Sequence, residues 1–415
     1  MSIKRADDTP TMQETLNFPI ELIRFPLHAD IACCGKYSSE TFDFEPDIKL
    51  PDRDFPESIM SLATFEEFVA HYSDAQIHSD IHYYWRGGDP LLAGVDFFRR
   101  AVELERQYAE GVKVYNHVHT PGGRINEEWC RFFAENNFEV SIEMDGNEEM
   151  TERFRHTIAL SPQESAHCHS TPETRRAHCT ERKLETLQLL HAWKIEHFVE
   201  VPVCELNGGH PLETYRYLLR QGVKRMRFIP LVERIKGKIL PHSIEAQCYG
   251  KFLVEIFDYW IRHDVGSIEI LNFEETLQGA ASTECHFAPT CGHHAYLAPD
   301  GTIYSCRYYT SPSDALGTLK NNTFTGLLYG RKQLRFGAVK QNGLTTQCRE
   351  CTYLPLCHGG CPRHRHSISD SGQKGHPYLC AAYRMYFDHV LIPLKYLAEE
   401  LRLGHDAARM KTYYE

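Results

Sequence analysis

Strand-like and helix-like segments alternate along the first 230 residues, and this alternation restricts the fold more than any other feature of the sequence. The strand-like runs are rich in β-branched and aromatic residues, whereas the others carry apolar residues three and four positions apart. The predicted strands are Ile20–Phe25, Ser79–Trp85, Val112–His119, Phe138–Met144, His197–Cys204 and Lys224–Pro230. The predicted helices are Thr64–Ser73, Val95–Tyr108, Asn126–Asn136, Glu181–Ala192 and Pro211–Gln221. The pattern predicts an α/β fold with a parallel sheet, open or curled into a partial barrel.

Ligands of parallel α/β folds bind at the carboxyl ends of the strands, so the residues that follow each predicted strand are the first candidates for a site. They are Arg86–Asp89, His119–Gly122, Asp145–Gly146 and Cys204–Glu205. Further helices are predicted at Glu245–His263 and around Ala382–Leu401.

Eight of the fifteen cysteines lie within 96 residues near the carboxyl terminus. They are Cys285, Cys291, Cys306, Cys348, Cys351, Cys357, Cys361 and Cys380. Thiolates two to five residues apart converge on one metal centre, because a tight turn aims both sulfurs inward. Spacing alone leaves two possibilities open, iron–sulfur clusters or structural zinc sites. The run from Cys357 to Pro362 resembles the end of a bacterial ferredoxin motif, in which the cysteine before proline ligates the other cluster.

Charge and hydropathy exclude several classes of function. A net charge of −11 argues against binding to a nucleic-acid backbone, which requires a basic surface. No apolar run is long enough for a membrane span, and residues 1–17 lack the apolar core of a signal peptide. We therefore expect a cytoplasmic protein, in whose reducing compartment cysteines act as metal ligands more often than as disulfides.

Several motifs match one known family. Tyr84–Gly94 reads YWRGGDPLLAG, Asn126–Cys130 reads NEEWC, and Asp300–Cys306 reads DGTIYSC. Together with the eight cysteines, these segments resemble the anaerobic sulfatase-maturating enzymes, which are radical S-adenosylmethionine (SAM) proteins with a SPASM domain. Such enzymes oxidise a cysteine or serine of a sulfatase to formylglycine.

The resemblance implies a partial (β/α)6 barrel of the radical SAM type, a small cysteine-rich SPASM domain and a C-terminal helix. The implied parts are a flexible arm at 1–19, the barrel at 20–281, the SPASM domain at 282–381, and the helix and tail at 382–415. It further implies two [4Fe–4S] clusters. One would be held by Cys285, Cys291, Cys306 and Cys361, and the other by Cys348, Cys351, Cys357 and Cys380.

The radical cluster of this family requires three cysteines spaced C-x3-C-x2-C in the loop after the first strand. We align Ala29, Cys33 and Lys36 with those three positions, so that Cys33 is the one remnant of the motif. Alanine cannot ligate iron, and a lysine ammonium opposes a nearby cation. These residues therefore argue against a third cluster and bound SAM.

Other positions of the family pattern also differ. The implied SAM pocket comprises Gly87, Gly88, Asp89, Glu143 and Asp145, with Asp89 replacing the family's glutamate and Glu143 its serine. The family's base, the aspartate after the third SPASM cysteine, is Arg307 here, and a cation cannot act as a general base.

Three hypotheses follow. In the first, the chain is a pseudoenzyme that keeps its two clusters and is a binding or regulatory partner of a sulfatase-like peptide or of a true maturase. In the second, it is an active radical SAM enzyme with a non-standard cluster. In the third, it is a two-cluster electron-transfer module.

A separate candidate metal site is the segment with His167, Cys168, His169, His178 and Cys179. It offers ligand types that suit zinc, as an alternative to an exposed loop.

Overall fold

The computed structural model describes residues 28–33, 59–75, 80–146, 172–235, 237–278, 285–292 and 294–414. Its strands are β1 (His28–Ala32), β2 (Asp80–Arg86), β3 (Lys113–Thr120), β4 (Glu139–Glu143), β5 (His197–Val203), β6 (Arg225–Pro230), β7 (Arg234–Ile235), β8 (Lys238–Ile239), β9 (Glu269–Ile270), β10 (His294–Leu297), β11 (Thr302–Tyr304), β12 (Ala315–Thr318), β13 (Ser367–Ile368) and β14 (Lys374–His376).

Twelve α-helices accompany these strands in the described part of the chain. They are α1 (Leu62–Ala75), α2 (Val95–Tyr108), α3 (Glu127–Asn136), α4 (Pro172–Ala192), α5 (Pro211–Arg220), α6 (Ala246–His263), α7 (Leu271–Gln278), α8 (Phe324–Leu328), α9 (Arg331–Asn342), α10 (Thr346–Arg349), α11 (Leu354–Cys357) and α12 (Cys380–Arg402). None of them combines the length and apolarity that a membrane span requires.

The central sheet has ten strands in the order β12-β11-β10-β1-β2-β3-β4-β5-β6-β9. Strands β1 to β6 are parallel and in sequence order, which confirms the predicted α/β fold with a parallel sheet. Strands β10 to β12 belong to the cysteine-rich segment, and β10 pairs with β1. The segment that carries the metal-binding pattern therefore extends the sheet of the barrel.

The predicted elements from residue 80 onward are confirmed to within one or two residues, except that α4 begins nine residues earlier than predicted. The predicted strand at 20–25 lies outside the described residues. The first described strand, β1, contains Ala29 and was not among the predicted strands. The sequence did not indicate this strand because it contains Asp30, which is buried, and aspartate is rare in strands. The predicted arm at 1–19 also lies outside the described residues.

Side chains alternate between two faces of the sheet, and the two faces differ in chemistry. The outer face of β2 buries Ile81, Tyr83 and Trp85 against α1 and α2 in an aromatic core. The inner face of the same strand carries His82, Tyr84 and Arg86 instead. Apolar burial on the outside holds the barrel together, and the polar inner face is available for a site.

The turn after β5 is tightly packed at Gly208. A Cβ atom at this position would lie 2.8 Å from the carbonyl oxygen of Cys204 and would collide with the side chain of Ile244. We expect Gly208→Ala to lower the free energy of unfolding by about 1–3 kcal/mol, as overpacking does elsewhere. Gly209→Ala is the matched control, since nothing lies within 4 Å of its added methyl group. Equal melting temperatures of the two variants would contradict this packing.

Candidate functional site

Asp89 follows β2 at the carboxyl edge of the sheet, and its carboxylate contacts Thr120, Leu91 and Arg124. The hydroxyl of Thr120 donates to Oδ1 at 2.8 Å and the backbone N–H of Leu91 at 3.2 Å. The Nε atom of Arg124 lies 3.1 Å from Oδ2. Asp89 thereby caps the short 3-10 helix Pro90–Ala93 and bridges β2 to the turn after β3. Gly87 beside it adopts a φ of 126°, which only glycine tolerates readily.

Asp145, just beyond β4, is also contacted from within the chain. Lys183 on α4 is buried, and its Nζ atom lies 3.7 Å from Oδ2 of Asp145. Both charged groups are almost inaccessible to solvent, so they form an internal ion pair whose separation costs free energy.

Glu143 belongs to a third internal network, built around His119 on β3. The two imidazole nitrogens of His119 lie 3.2 Å from Glu143 Oε1 and 3.4 Å from Glu200 Oε2. Arg227 on β6 continues the network, with Nη1 3.8 Å from Glu200 Oε1. Buried polar groups are stable when paired in this way. The side chains of the predicted SAM pocket, Asp89, Glu143 and Asp145, therefore lie at the expected edge, each with partners from the chain.

Asp30 on β1 is the most strongly perturbed carboxylate of the inner face. Arg86 Nε and His294 Nδ1 lie 3.6 and 3.7 Å from its Oδ1 atom. Burial alone would raise the pKa of Asp30, but His294, Arg86 and Arg307 hold it well below its ordinary value.

Glu200 on β5 is a buried carboxylate surrounded by cations from several strands. Burial would raise the pKa of this carboxylate, yet neighbouring side chains lower it. Those neighbours are His119, Arg86, Arg227 and Arg307. In a flat sheet Arg86 on β2 would be about 14 Å away, three strand spacings from β5. Such coupling is expected where the inner faces of the strands curl toward one another.

Cys33 directly follows β1 and is fully buried. Its Sγ atom lies 3.4 Å from the carbonyl oxygen of Pro90 and donates to it. Ala29, aligned above with a ligand position in the loop, instead lies inside β1 opposite Tyr83. Ala29 therefore lies within a strand that runs to Ala32, and not in the loop after it. Lys36 lies outside the described residues.

The first group of cysteines meets between the turn at 285–291, the end of β11 and the segment after α11. Burial raises the pKa of the Cys285 thiol to about 12, and the nearby thiols of Cys361 and Cys291 raise it further. Burial raises the pKa of Cys306 well above its ordinary value, with Cys285 and Cys361 adding to the effect. The four cysteines that the resemblance assigned to one cluster thus lie close enough for their thiols to interact electrostatically.

The second group lines a cavity of about 340 Å³. Its four cysteines are Cys348, Cys351, Cys357 and Cys380. Burial raises the pKa of Cys380, the first residue of α12, to about 12, and the other three thiols contribute. An imidazole nitrogen of His376 lies 3.7 Å from Cys348 Sγ. Within the described residues, no three His, Cys, Asp or Glu side chains are arranged around a single metal ion.

Buried Lys340 and half-buried Arg365 accompany the cysteines, and the sequence analysis identified neither. The Nζ atom of Lys340 donates to the carbonyl oxygens of Cys285 and His286 at 2.7 and 2.9 Å. The guanidinium of Arg365 donates to the backbone of Gly359 and Lys340 at 2.9 and 2.5 Å. A buried cation is costly unless negative charge lies nearby. Clusters with four thiolates each supply such charge, so the residues present fit iron–sulfur clusters. Neither Lys340 nor Arg365 belongs to a sequence pattern that would have identified it.

The zinc alternative around residues 167–179 stays a prediction. His167, Cys168 and His169 lie outside the described residues, and so do the side chains of His178 and Cys179.

No protein-family model matches the chain. It is 30% identical over 365 residues to a serine-type anaerobic sulfatase-maturating enzyme of Bacteroides thetaiotaomicron, an alignment that covers 83% of this chain and 84% of the relative. It is 29% identical over 329 residues to a cysteine-type anaerobic sulfatase-maturating enzyme of Clostridium perfringens, covering 77% of this chain and 83% of that one.

Solved structures agree with the sequence relatives. Histidine-tagged anSMEcpe with bound AdoMet superposes with a TM-score of 0.75 at 25% identity, covering 90% of this chain and 99% of that one. Native anSMEcpe with bound AdoMet and the Cp18Cys peptide gives a TM-score of 0.74 at 24% identity, with 91% and 99% coverage.

Proposed function

The chain belongs to the family of anaerobic sulfatase-maturating enzymes, and from this premise we propose that it is a member without radical initiation. In this proposal it keeps two auxiliary iron–sulfur clusters and a peptide-binding barrel. Its role is then to bind a sulfatase-like peptide, or to regulate a true maturase.

The observation that carries the proposal is that the sequence after β1 lacks the three-cysteine motif of the radical cluster. Cys33 and Cys34 are the only cysteines between residues 28 and 58, and they are adjacent. In every register, the spacing C-x3-C-x2-C therefore finds at most one cysteine here. The Cys33 thiol is buried and faces the carbonyl oxygen of Pro90. A radical cluster needs three thiolates and an open iron, and this loop has two cysteines, which are adjacent in the sequence.

The pocket residues support the same conclusion. Asp89 stands where the family's glutamate receives the amino group of SAM, and here its carboxylate contacts Thr120 and the guanidinium of Arg124. An arginine held 3.1 Å from Asp89 Oδ2 competes with any second cation for that oxygen. The position of the family's base carries Arg307, which cannot accept a proton from a substrate.

The cysteine groups support retention of the auxiliary clusters. Cys285, Cys291, Cys306 and Cys361 would hold one cluster, and Cys348, Cys351, Cys357 and Cys380 the other. When bound, such clusters transfer single electrons at potentials set by their surroundings. Lys340 and Arg365 would offset the negative charge of the thiolates, and their hydrogen bonds to backbone carbonyls fix their positions.

The test is anaerobic reconstitution followed by a SAM cleavage assay. We expect about eight irons per chain, four for each cluster, and no 5′-deoxyadenosine above background with dithionite and SAM. An intact maturase of the family, reconstituted in parallel, is the positive control. Formation of 5′-deoxyadenosine at catalytic rates would overturn the proposal. So would about twelve irons per chain with a paramagnetic signal that SAM perturbs.

A second role, electron relay, is favoured by the position of Tyr383 between the two cysteine groups. Tyr383 lines the cavity of the second group, and its hydroxyl pairs with the imidazole of His286, the residue after Cys285 of the first group. Reversible reduction of both clusters in a redox titration would support a relay, and potentials outside the physiological range would exclude it.

A further inference from the structure

Lys340, near the carboxyl-terminal end of α9, is a fully buried lysine. Its Nζ atom donates to the backbone carbonyl oxygens of Cys285 and His286 at 2.7 and 2.9 Å. Burial lowers the pKa of Lys340, and the thiols of Cys285, Cys291 and Cys361 oppose that shift. All three thiols belong to the first cysteine group, so the charge of this lysine is balanced by the residues assigned to one cluster.

The same charge favours ionised thiols in the first group. Burial raises the pKa of Cys285 to about 12 and that of Cys291 to about 11, and Lys340 is the strongest of the influences that lower both. A cation that stabilises a thiolate also stabilises further negative charge on the cluster which that thiolate holds. Water and salt screen a buried charge much less than an exposed one. Lys340 would therefore favour the reduced cluster, which carries one more negative charge.

The second cysteine group has a different cationic neighbour. Burial raises the pKa of Cys380, and Arg384 on α12 opposes this rise, but the side chain of Arg384 is exposed. The interactions of an exposed guanidinium are weakened by water and salt. Arg365 acts on cysteines of both groups and so does not distinguish them. These cysteines are Cys291, Cys348, Cys357 and Cys361.

We propose that the positive charge of Lys340 raises the reduction potential of the first cluster and leaves that of the second cluster nearly unchanged. This role of Lys340 rests on the proposed function, since both clusters must be present. Reduction adds one electron from an external one-electron reductant, and no bond forms or breaks. Burial of the first group disfavours the added negative charge, and Lys340 offsets that penalty. Lys340 acts through its charge and is not itself a ligand.

Three variants separate the charge of Lys340 from its hydrogen bonds. Lys340→Met removes both, Lys340→Gln keeps N–H donors without the charge, and Lys340→Arg keeps the charge. Each full-length protein is reconstituted anaerobically and titrated with dithionite, and electron paramagnetic resonance follows the reduction of each cluster. The signal that persists in Cys380→Ser, which lacks a ligand of the second cluster, identifies the first cluster.

We expect Lys340→Met and Lys340→Gln to lower the equilibrium constant for reduction of the first cluster by about 10- to 100-fold, within the range by which a neighbouring charge shifts a pKa. For a one-electron couple, this change is a fall of about 60 to 120 mV in the reduction potential. The potential of the second cluster should be nearly unchanged. Lys340→Arg should keep the potential of the first cluster close to that of the wild type.

Lys332→Met is the matched control, and both of its potentials should equal those of the wild type. Lys332 lies on the same helix and also donates to two backbone carbonyl oxygens, those of Ser313 and Ala315, but it is exposed. An unchanged potential of the first cluster in Lys340→Met or Lys340→Gln would overturn the role of the charge. So would an equal fall at both clusters. Loss of the first cluster's iron from all three Lys340 variants would assign the lysine to packing and would also overturn the proposal.

Iron content separates the failure of this role from the failure of the proposed function. If the wild-type protein binds about eight irons and the potentials of the variants do not move, only the role of Lys340 fails. If the wild-type protein binds far fewer irons, the two-cluster function fails, and the role of Lys340 fails with it.

Discussion

Substituting serine for Cys380 is expected to lower the iron content of the reconstituted protein from about eight to about four per chain. Cys380 is the first residue of α12 and lines the 340 Å³ cavity together with Cys348, Cys351 and Cys357. Serine keeps the shape of the side chain, but a hydroxyl does not replace a thiolate as an iron ligand. The measurement is an iron and sulfide count together with the visible absorbance of the cluster.

The pairing of the cysteines makes the prediction selective. Cys306→Ser should remove the other four irons and leave the cavity beside α12 occupied, and the double variant should bind almost none. Cys248→Ser is the matched control, since this thiol lies on α6, 3.9 Å from Glu245 Oε2 and outside both groups. Iron loss in the control, or an unchanged count in Cys380→Ser, would contradict the assignment of ligands to two groups.

Much of the fold was predictable because its signals are local. Strands β2 to β6 alternate apolar and polar residues, and helices α2 and α3 carry apolar residues at helical spacing, so periodicity located each of them. Strand β1 was missed for the opposite reason. Its five residues include Asp30, whose burial depends on Arg86 and His294 from other strands. A contact between segments that are far apart in the sequence produces no periodic pattern in either segment.

The candidate site likewise contains residues that local sequence patterns revealed and residues that depend on contacts between distant segments. The eight cysteines were recognisable because thiols at short spacings signal a metal, and the resemblance divided them into two sets. The cations that accompany them were not recognisable. Lys340 is buried against the backbone of Cys285, 55 residues away, and nothing in its own helix distinguishes it from a solvated lysine. The partners of Asp89 and Asp145 also come from other elements, so only the structure reveals that these carboxylates are already paired.

Glu105 on α2 is a buried carboxyl group of the outer core, and its environment makes the stability of the fold depend on pH. Its Oε2 atom accepts a hydrogen bond of 2.7 Å from Asn116, whose own oxygen accepts one from Trp85. Among the described residues, its other oxygen, Oε1, has no hydrogen-bond partner. Burial raises the pKa of Glu105 to about 8, with Asn116 and Arg106 partly opposing the shift.

Glu105→Gln should therefore stabilise the protein increasingly as the pH rises from 5 to 8. Below the unfolded pKa, both states carry the proton and nothing is lost. Between about 4.5 and 8 the folded chain keeps a proton that the unfolded chain releases, so the free energy of unfolding falls by about 1.4 kcal/mol per pH unit. Glutamine is neutral throughout and its oxygen still accepts from Asn116, so the variant should gain about 4 kcal/mol over the wild type by pH 8. Thermal unfolding at pH 5, 6.5 and 8 measures the difference, with the exposed Glu103→Gln on the same helix as control. A gain that is independent of pH would mean that Glu105 is ionised in the fold.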